Sequence, residues 1–383
     1  MSVFPIIFTV LLVPYIALGV WTLSGIRKLL RTEDGEDFQK TEKTGFSIII
    51  PFRNEQQRLP ELLDSLSRID YPPEKFEILM VNDHSHDRSV ALIEAFAGRH
   101  PETGIRIIDN KRQSDSPKKD ALLTGIRTAS YEWILTTDAD TVVPASWLSD
   151  FDRHIRRDGS VMLFGGVRYL PGNTPVEYLQ YWDWQGLQAL TLAGYGYGNP
   201  LLGSAANMGF EKEAFFRAGG FEGNTQHAGG DDIFLMRKMH ERFPGKVKSV
   251  RSSHQVTTYP VAGWKDLCRQ RIRWAEKTSA VGNPVMIRIA VLTGAVQIAL
   301  LGSLPYSLFY SGYPILFAGI WTSKFLVDYL LVSNTLSAKK EKRALSWWSL
   351  FALQPVYAAL VLCIALRLLA GGKFSWKERE YPL

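Results

Sequence analysis

Between residues 46 and 137, apolar runs of strand length alternate with amphipathic stretches of helical period, and this alternation limits the possible folds more than any other feature. It reads as strand 46–51, helix 59–69, strand 76–82, helix 89–98, strand 105–109, helix 118–129 and strand 133–137. Such βα repetition predicts an α/β fold: a Rossmann-like, mostly parallel sheet with helices on both faces. Ligands of such sheets bind beyond the carboxyl ends of the strands. Polar residues stand there. Pro51-Phe52-Arg53-Asn54-Glu55 follows the first strand, Asn82-Asp83-His84-Ser85-His86-Asp87 the second and Asp138-Ala139-Asp140 the fourth. Asn, Asp and Ser are also ordinary turn and capping residues, so one such cluster alone carries little. Three at one sheet edge carry more.

The 46% of the 383 residues that are hydrophobic are unevenly spread. Residues 3–26 contain no charged side chain, enough apolar helix to cross a hydrocarbon core of about 30 Å. Residues 289–310 and 315–332, divided at Ser311-Gly312-Tyr313-Pro314, and a run from about 345 to 366 are further candidate spans. A secretory signal is the other reading of the first run, but that run lacks a basic start and a small-residue cleavage site, and Arg27, Lys28 and Arg31 follow it. An uncleaved anchor is therefore expected. Its flanking cations place the next domain in the cytoplasm, as does the loop Lys339-Lys340-Glu341-Lys342-Arg343. Four full crossings would leave the basic tail around Lys373, Lys377 and Arg379 outside, so either the charge rule fails there or one late segment is re-entrant or interfacial. The resulting division is a transmembrane anchor 1–26, a linker 27–45, a globular domain 46–280, a region of about three transmembrane helices 281–370 and a basic tail 371–383.

The net charge of +6 could serve nucleic acid, yet the basic residues cluster beside apolar spans, where anionic membrane lipids explain them. No nucleic-acid partner is expected. Cys268 and Cys363 offer neither a disulfide framework nor zinc-ligand spacing and read as packing residues. Within the third candidate span Lys324 and Asp328 are four apart and can satisfy each other in lipid.

Asp138 and Asp140 stand two apart after a buried strand, so extended backbone can aim both carboxylates into one cleft. Mg2+ or Mn2+ suits such a pair, because these ions take carboxylate and phosphate oxygens. At this point the chain resembles family 2 glycosyltransferases of the GT-A fold. The matching segments are those after the first and second strands, then Lys118-Lys119-Asp120-Ala121-Leu122, Thr137-Asp138-Ala139-Asp140, Gly230-Asp231-Asp232 and Gln270-Arg271-Ile272-Arg273-Trp274. The last is the Q-x-x-R-W signature of membrane-associated members such as the cellulose, chitin and hyaluronan synthases. The resemblance runs from about Phe46 to Trp274.

It implies a nucleotide-sugar site made of Pro51, Arg53, Glu55, Asp83, Lys118 and Asp138, with Asp83 and Glu55 at the nucleoside and Asp140 ligating the metal with Asp138. It further implies that Asp232 is the general base. Partial burial beside Asp231 would raise the Asp232 pKa towards the working range. Gln270, Arg273 and Trp274 share one helical face, so Arg273 can bind the leaving diphosphate while Asp231, Gln270 and Trp274 serve acceptor or leaving group. A basic amphipathic helix lying on the membrane is the other account of that segment, since Lys265, Arg269, Arg271, Arg273 and Lys277 are cationic, and both can hold; the upstream motifs favour the catalytic role. The segment 203–210 of small residues would shape an acceptor pocket. The aromatic stretch 178–197, with Trp182 and Trp184, would stack on sugars or simply pack as a helix. His84, His86 and His227 read as loop residues. Departures from the family pattern are Asn82-Asp83 for its acidic pair and His84-Ser85 for its glycine-serine turn.

The expectation is an inverting hexosyl- or N-acetylhexosaminyltransferase, integral to a bacterial inner membrane with its catalytic domain cytoplasmic. It would move a sugar from a nucleotide-sugar donor, by resemblance a UDP-sugar, to a lipid or glycan acceptor. Processive polysaccharide synthesis is the alternative within this chemistry; the few spans weigh against a long channel unless a homo-oligomer builds one. A catalytically silent nucleotide- or glycan-binding membrane protein is the alternative of another class.

Overall fold

In a computed structural model the described residues are 3–31, 42–170, 172–226, 229–309, 314–341, 346–371, 373–376 and 379–382. His227, Lys342, Arg343 and Lys377, the turn 311–313 and residues 32–41 of the expected linker lie outside them. The chain forms two compact units, one of Glu33–Leu170 with Leu202–Tyr259 and one of Met1–Thr32 with Pro171–Leu201 and Pro260–Leu383.

The first unit carries the sheet. Its strands are β1 Phe46–Phe52, β2 Phe76–Asn82, β3 Ile105–Asp109, β4 Trp133–Thr136, β5 Thr141–Val142, β6 Met162–Phe164, β7 Val167–Tyr169, β8 Met208–Glu211, β9 Val247–Ser249 and β10 Val256–Thr258. Seven pair in the order β3-β2-β1-β4-β8-β6-β9, parallel except where β8 runs against β4 and β6. β5, β10 and β7 form a second, small sheet. Ile48, Ile49 and Ile50 in β1 and Ile78 to Val81 in β2 are all buried, as strands covered on both faces require. Helices Leu59–Leu66, Ser89–Arg99 and Pro117–Thr128 supply the crossovers, so β1, β2 and β4 end at one edge, in register from Phe46↔Phe76 to Phe52↔Asn82. The expected α/β architecture is therefore present.

The second unit is helical: Val3–Arg31, Pro175–Gly196, Trp264–Val281, Pro284–Phe309, Pro314–Ala338, Trp347–Ala352 and Gln354–Ala370, with a hairpin of Lys373–Trp376 against Arg379–Pro382. Several boundaries differ from the sequence reading. The first helix continues through Arg31 rather than yielding to a linker at 27, because nothing between Ile26 and Arg31 breaks a helix. The helix Pro175–Gly196 and the signature helix Trp264–Val281 group with the helical unit, although the sequence assigns both to a domain 46–280. The run 345–366 is two helices. Pro355 lies in the first turn of the second and cannot donate the amide hydrogen bond that would continue the first. The basic tail forms the hairpin.

Thr9–Arg31 and Pro284–Ser303 are long and apolar enough to cross a membrane, and Val13, Val20 and Val291 on them are exposed. Tyr15, Val296, Leu300, Ile320 and Trp321 form one buried cluster of this unit. Cys268 packs against another, whereas Cys363 is exposed. Lys324 pairs with Asp328, as their spacing predicts, and Asp328 also accepts the Tyr15 hydroxyl at 2.6 Å.

The helices Val3–Arg31 and Pro175–Gly196 cross closely at Gly196, where an added Cβ would overlap the Gly25 carbonyl oxygen. Small residues at a crossing let backbones approach. Gly196→Val should therefore force the two helices apart at a cost of about 1–3 kcal/mol. Thermal unfolding in detergent checks this; an unchanged midpoint would contradict the crossing.

Candidate active site

The loops after β1 and β2 are tied together by side chains of the two polar clusters. Asn54 N–H donates to Ser85 Oγ at 3.2 Å and His86 N–H to Asn54 Oδ1 at 2.9 Å, while Glu55 N–H donates to Ser89 Oγ at 2.9 Å. Gln56 N–H reaches Asp87 Oδ2 at 3.0 Å. Both loops contain a residue in the left-handed region, Asn54 with φ 53° and His84 with φ 56°. Asn tolerates that conformation through local hydrogen bonds. At His84 a side chain in this region costs about 1–2 kcal/mol. Strain retained at such a place accompanies function more often than chance.

Asp83 is buried against this edge. Its Oδ1 accepts from Asn110 Nδ2 and from Arg112 Nε, both at 2.8 Å, and its carbonyl accepts from Arg53 at 2.9 Å. Arg53 also donates to the His84 carbonyl at 3.2 Å. Pro51 lies opposite Val81 in the β1/β2 register, and Glu55 is half-buried at the start of the turn leading to the helix Leu59–Leu66. Asn110 and Arg112 escape the sequence reading, because β3 ends in a cluster that matches no motif taken by itself.

Lys118 joins the two acidic motifs. Its Nζ donates to Asp138 Oδ1 at 2.8 Å and lies 3.1 Å from Asp231 Oδ2, with one fifth of the lysine side chain exposed. Burial alone would push the ammonium down, but the carboxylates of Asp138, Asp231 and Asp232 outweigh it and hold Lys118 above the ordinary lysine value. It stays charged. The next two residues fasten the surroundings: buried Lys119 donates to the Asn224 carbonyl at 2.6 Å, and Asp120 accepts the amides of Gln113 and Ser114, each at 2.9 Å. Their adjacency to Lys118 is the signal the sequence offered for these roles.

Asp232 is buried at the N-terminus of the helix Ile233–Arg242. Its Oδ1 accepts from Ile233 N–H at 2.7 Å and its Oδ2 from Ala205 N–H at 3.3 Å. The segment 203–207 is held in turn by the end of β4: Thr136 Oγ1 donates to the Ala205 carbonyl and Thr137 Oγ1 to the Ala206 carbonyl, both at 2.8 Å. Thr141 Oγ1 donates to the Asp138 carbonyl at 2.8 Å. One set of hydrogen bonds, of 2.8 to 3.3 Å, thus links Asp138, the small-residue segment and Asp232 within the sheet-bearing unit. Asp140 is exposed and Asp138 half-buried.

Gln270, Arg273 and Trp274 belong to the helical unit, on the helix Trp264–Val281 that their spacing predicts. Trp274 packs 5.8 Å from Trp184, ring to ring, and the Arg271 guanidinium lies 4.2 Å from the Trp274 ring. His84 and His86 sit on the exposed loop.

Residues 47–217 match the family described as Glycosyl transferase family 2, and residues 133–369 match Glycosyl transferase family group 2. A poly-beta-1,6-N-acetyl-D-glucosamine synthase of Staphylococcus epidermidis is 31% identical over 114 residues, 29% of this chain and 26% of that protein. The synthase of that name from Staphylococcus aureus strain COL is 25% identical over 262 residues, 66% of this chain and 58% of that one. The chain thus spans well under two thirds of the length of these curated relatives. Among solved structures it is similar to the mannosyltransferase PcManGT from Pyrobaculum calidifontis, in complex with GDP-Man and Mn2+. That likeness has a TM-score of 0.57 and 15% identity, over 96% of this chain and 99% of that chain. It shows a shared GT-A fold.

Proposed function

This chain belongs to glycosyl transferase family group 2, and on that premise we propose that it is a membrane-bound inverting glycosyltransferase. It moves a sugar from a nucleotide-sugar donor, a UDP-sugar, to a lipid or glycan acceptor. The observation that carries this reading is the placement of Lys118 between Asp138 and Asp231, which unites the donor motif and the base motif in one network. The polymer named in both bacterial relatives supports an N-acetylhexosamine as the sugar. Two helices of spanning length with exposed valines, the first of them ending in Arg27, Lys28 and Arg31, support a membrane protein with its sheet-bearing unit in the cytoplasm.

Asp138 and Asp140 are hard oxygen donors, and among the described residues no group of three or more His, Cys, Asp or Glu is placed to cage an ion alone. Such a donor set fits Mg2+ or Mn2+, which take one or two carboxylates and complete their shell with substrate phosphates. The ion, when bound there, offsets charge developing on the diphosphate. Asp83 and Glu55 contact the nucleoside, with Arg53 bonded to the Asp83 carbonyl. Asp232 takes the proton of the acceptor hydroxyl as its oxygen bonds to the anomeric carbon from the face opposite the diphosphate. The carbon–oxygen bond to the diphosphate breaks, and the configuration inverts. Arg273 binds the departing diphosphate and Trp274 offers a flat surface to sugar or acceptor.

Native membranes supplied with UDP-N-acetylglucosamine and Mn2+ should release UDP and form a labelled product. Excess chelator should cut that release by about 100-fold or more, because the diphosphate charge is then not offset. Release that survives chelation removes the metal from the reaction, and no release with any UDP- or GDP-sugar favours a silent binding protein. Processive synthesis is the second reading, favoured by the polymer-forming relatives. Long polymer in the same assay supports it, and single additions to an extractable lipid exclude it.

A further inference from the structure

Arg271 stands inside the Gln270 to Trp274 signature, and its side chain turns inward rather than outward. It is 7% exposed. Its Nε donates to Asp183 Oδ2 at 2.6 Å and a terminal nitrogen donates to Gln270 Oε1 at 2.5 Å, while the guanidinium carbon lies over the Trp274 ring, 4.2 Å from its centre. One side chain therefore touches two of the three signature residues. The other carboxylate oxygen of Asp183 accepts the Tyr357 hydroxyl at 2.9 Å, so three helices, Pro175–Gly196, Trp264–Val281 and Gln354–Ala370, meet at one carboxylate. Beyond Tyr357, whose ring lies 5.9 Å from the Lys324 ammonium, the chain of polar contacts continues through Asp328 to Tyr15. Ionisable groups among apolar helices are costly to keep and mark function by default.

A surface ion pair would contribute little here, but the Asp183 and Arg271 side chains are only 10% and 7% exposed. A shielded, fork-shaped guanidinium bound on three sides has little rotational freedom left. Gln270 and Trp274 inherit that restriction. We propose that Asp183 is a positioning residue for the transfer reaction, holding Arg271 and Tyr357 so that Gln270 and Trp274 keep the orientation in which they engage leaving group and acceptor. The inference rests on the signature helix taking part in transfer.

The full chain in native membranes is the material for the test, with Asp183→Asn, Arg271→Ala, Arg271→Lys and the double variant Asp183→Asn/Arg271→Ala. Asp183→Asn should lower kcat by about 10- to 100-fold with donor KM within about 3-fold of native, the loss a misplacement near 1 Å produces. Arg271→Lys should recover part of what Arg271→Ala loses. The double variant should be no worse than Arg271→Ala, because Asp183 acts through Arg271. Additive losses, or native kcat in Asp183→Asn, overturn the proposal. Where Asp183→Asn fails to accumulate, Arg271→Lys takes its place, since it keeps the charge but loses the fork that spans Asp183 and Gln270, and native kcat there is equally decisive. Hydrogen exchange over Trp264–Val281 reads the positioning without turnover. Exchange should quicken in Asp183→Asn, and unchanged exchange overturns the proposal. A native chain that transfers nothing defeats the proposed function, while the exchange result still decides this inference.

Discussion

Asp232→Asn should lower sugar transfer by about 10²- to 10⁴-fold, the range that loss of a positioned general base produces, while leaving the fold and donor binding close to native. The reason lies in what each carboxylate oxygen does. Oδ1 caps the helix Ile233–Arg242 through Ile233 N–H, and an amide oxygen can keep that bond. Oδ2 accepts from Ala205 N–H at 3.3 Å, and it is the oxygen whose capacity for a proton the proposed reaction uses. Asn removes that capacity and the charge together. Asp231 cannot take over, because Lys118 holds its Oδ2 at 3.1 Å and commits the carboxylate to an ion pair. UDP release under saturating donor and calorimetric donor binding are the two measurements. Turnover within about 10-fold of native would exclude Asp232 as the base, and lost donor binding would recast it as a donor ligand.

The parts of this molecule that were legible in the sequence are those where one element carries its own signal. All seven elements between 46 and 137 lie within about three residues of the periodicity reading, because buried parallel strands and their crossover helices have unlike apolar periods. After Thr137 the strands shrink to two to four residues, as in Thr141–Val142 and Val256–Thr258, too short to display alternation. β8 is fixed by its neighbours β4 and β6 rather than by its own four residues. The site divides in the same way. Asp138, Asp140 and Asp232 are named by motif, whereas the Lys118 contact to Asp231 and the Asp183 contacts to Arg271 and Tyr357 join residues 88 to 174 apart in the last two cases. No local pattern encodes such a contact. Motifs record which side chains the chemistry needs, and the fold alone records which others keep them in place.

Lys118→Met should damage stability and activity together, and the two effects separate on addition of a divalent ion. In the native chain one ammonium faces Asp138 and Asp231, and the Asp231 side chain is only 6% exposed. Removing the cation leaves a shielded carboxylate without its counter-charge, a change that costs about 3 kcal/mol at the lower end of the range for broken buried pairs. For a unit of roughly 200 residues that is a fall of about 6–12 °C in the unfolding midpoint. Mg2+ binds carboxylate oxygens and would find more uncompensated negative charge in the variant, so it should raise the variant's midpoint by more than the native one's. Transfer should not recover, because an ion drawn to Asp231 does not restore the geometry that Lys118 imposes on Asp138. Thermal unfolding with and without Mg2+, beside UDP release, checks each part. A variant that melts like the native chain would mean that the lysine does not neutralise the pair. Equal Mg2+ shifts in both proteins would mean that the carboxylates of Asp138 and Asp231 are not the groups whose charge it offsets.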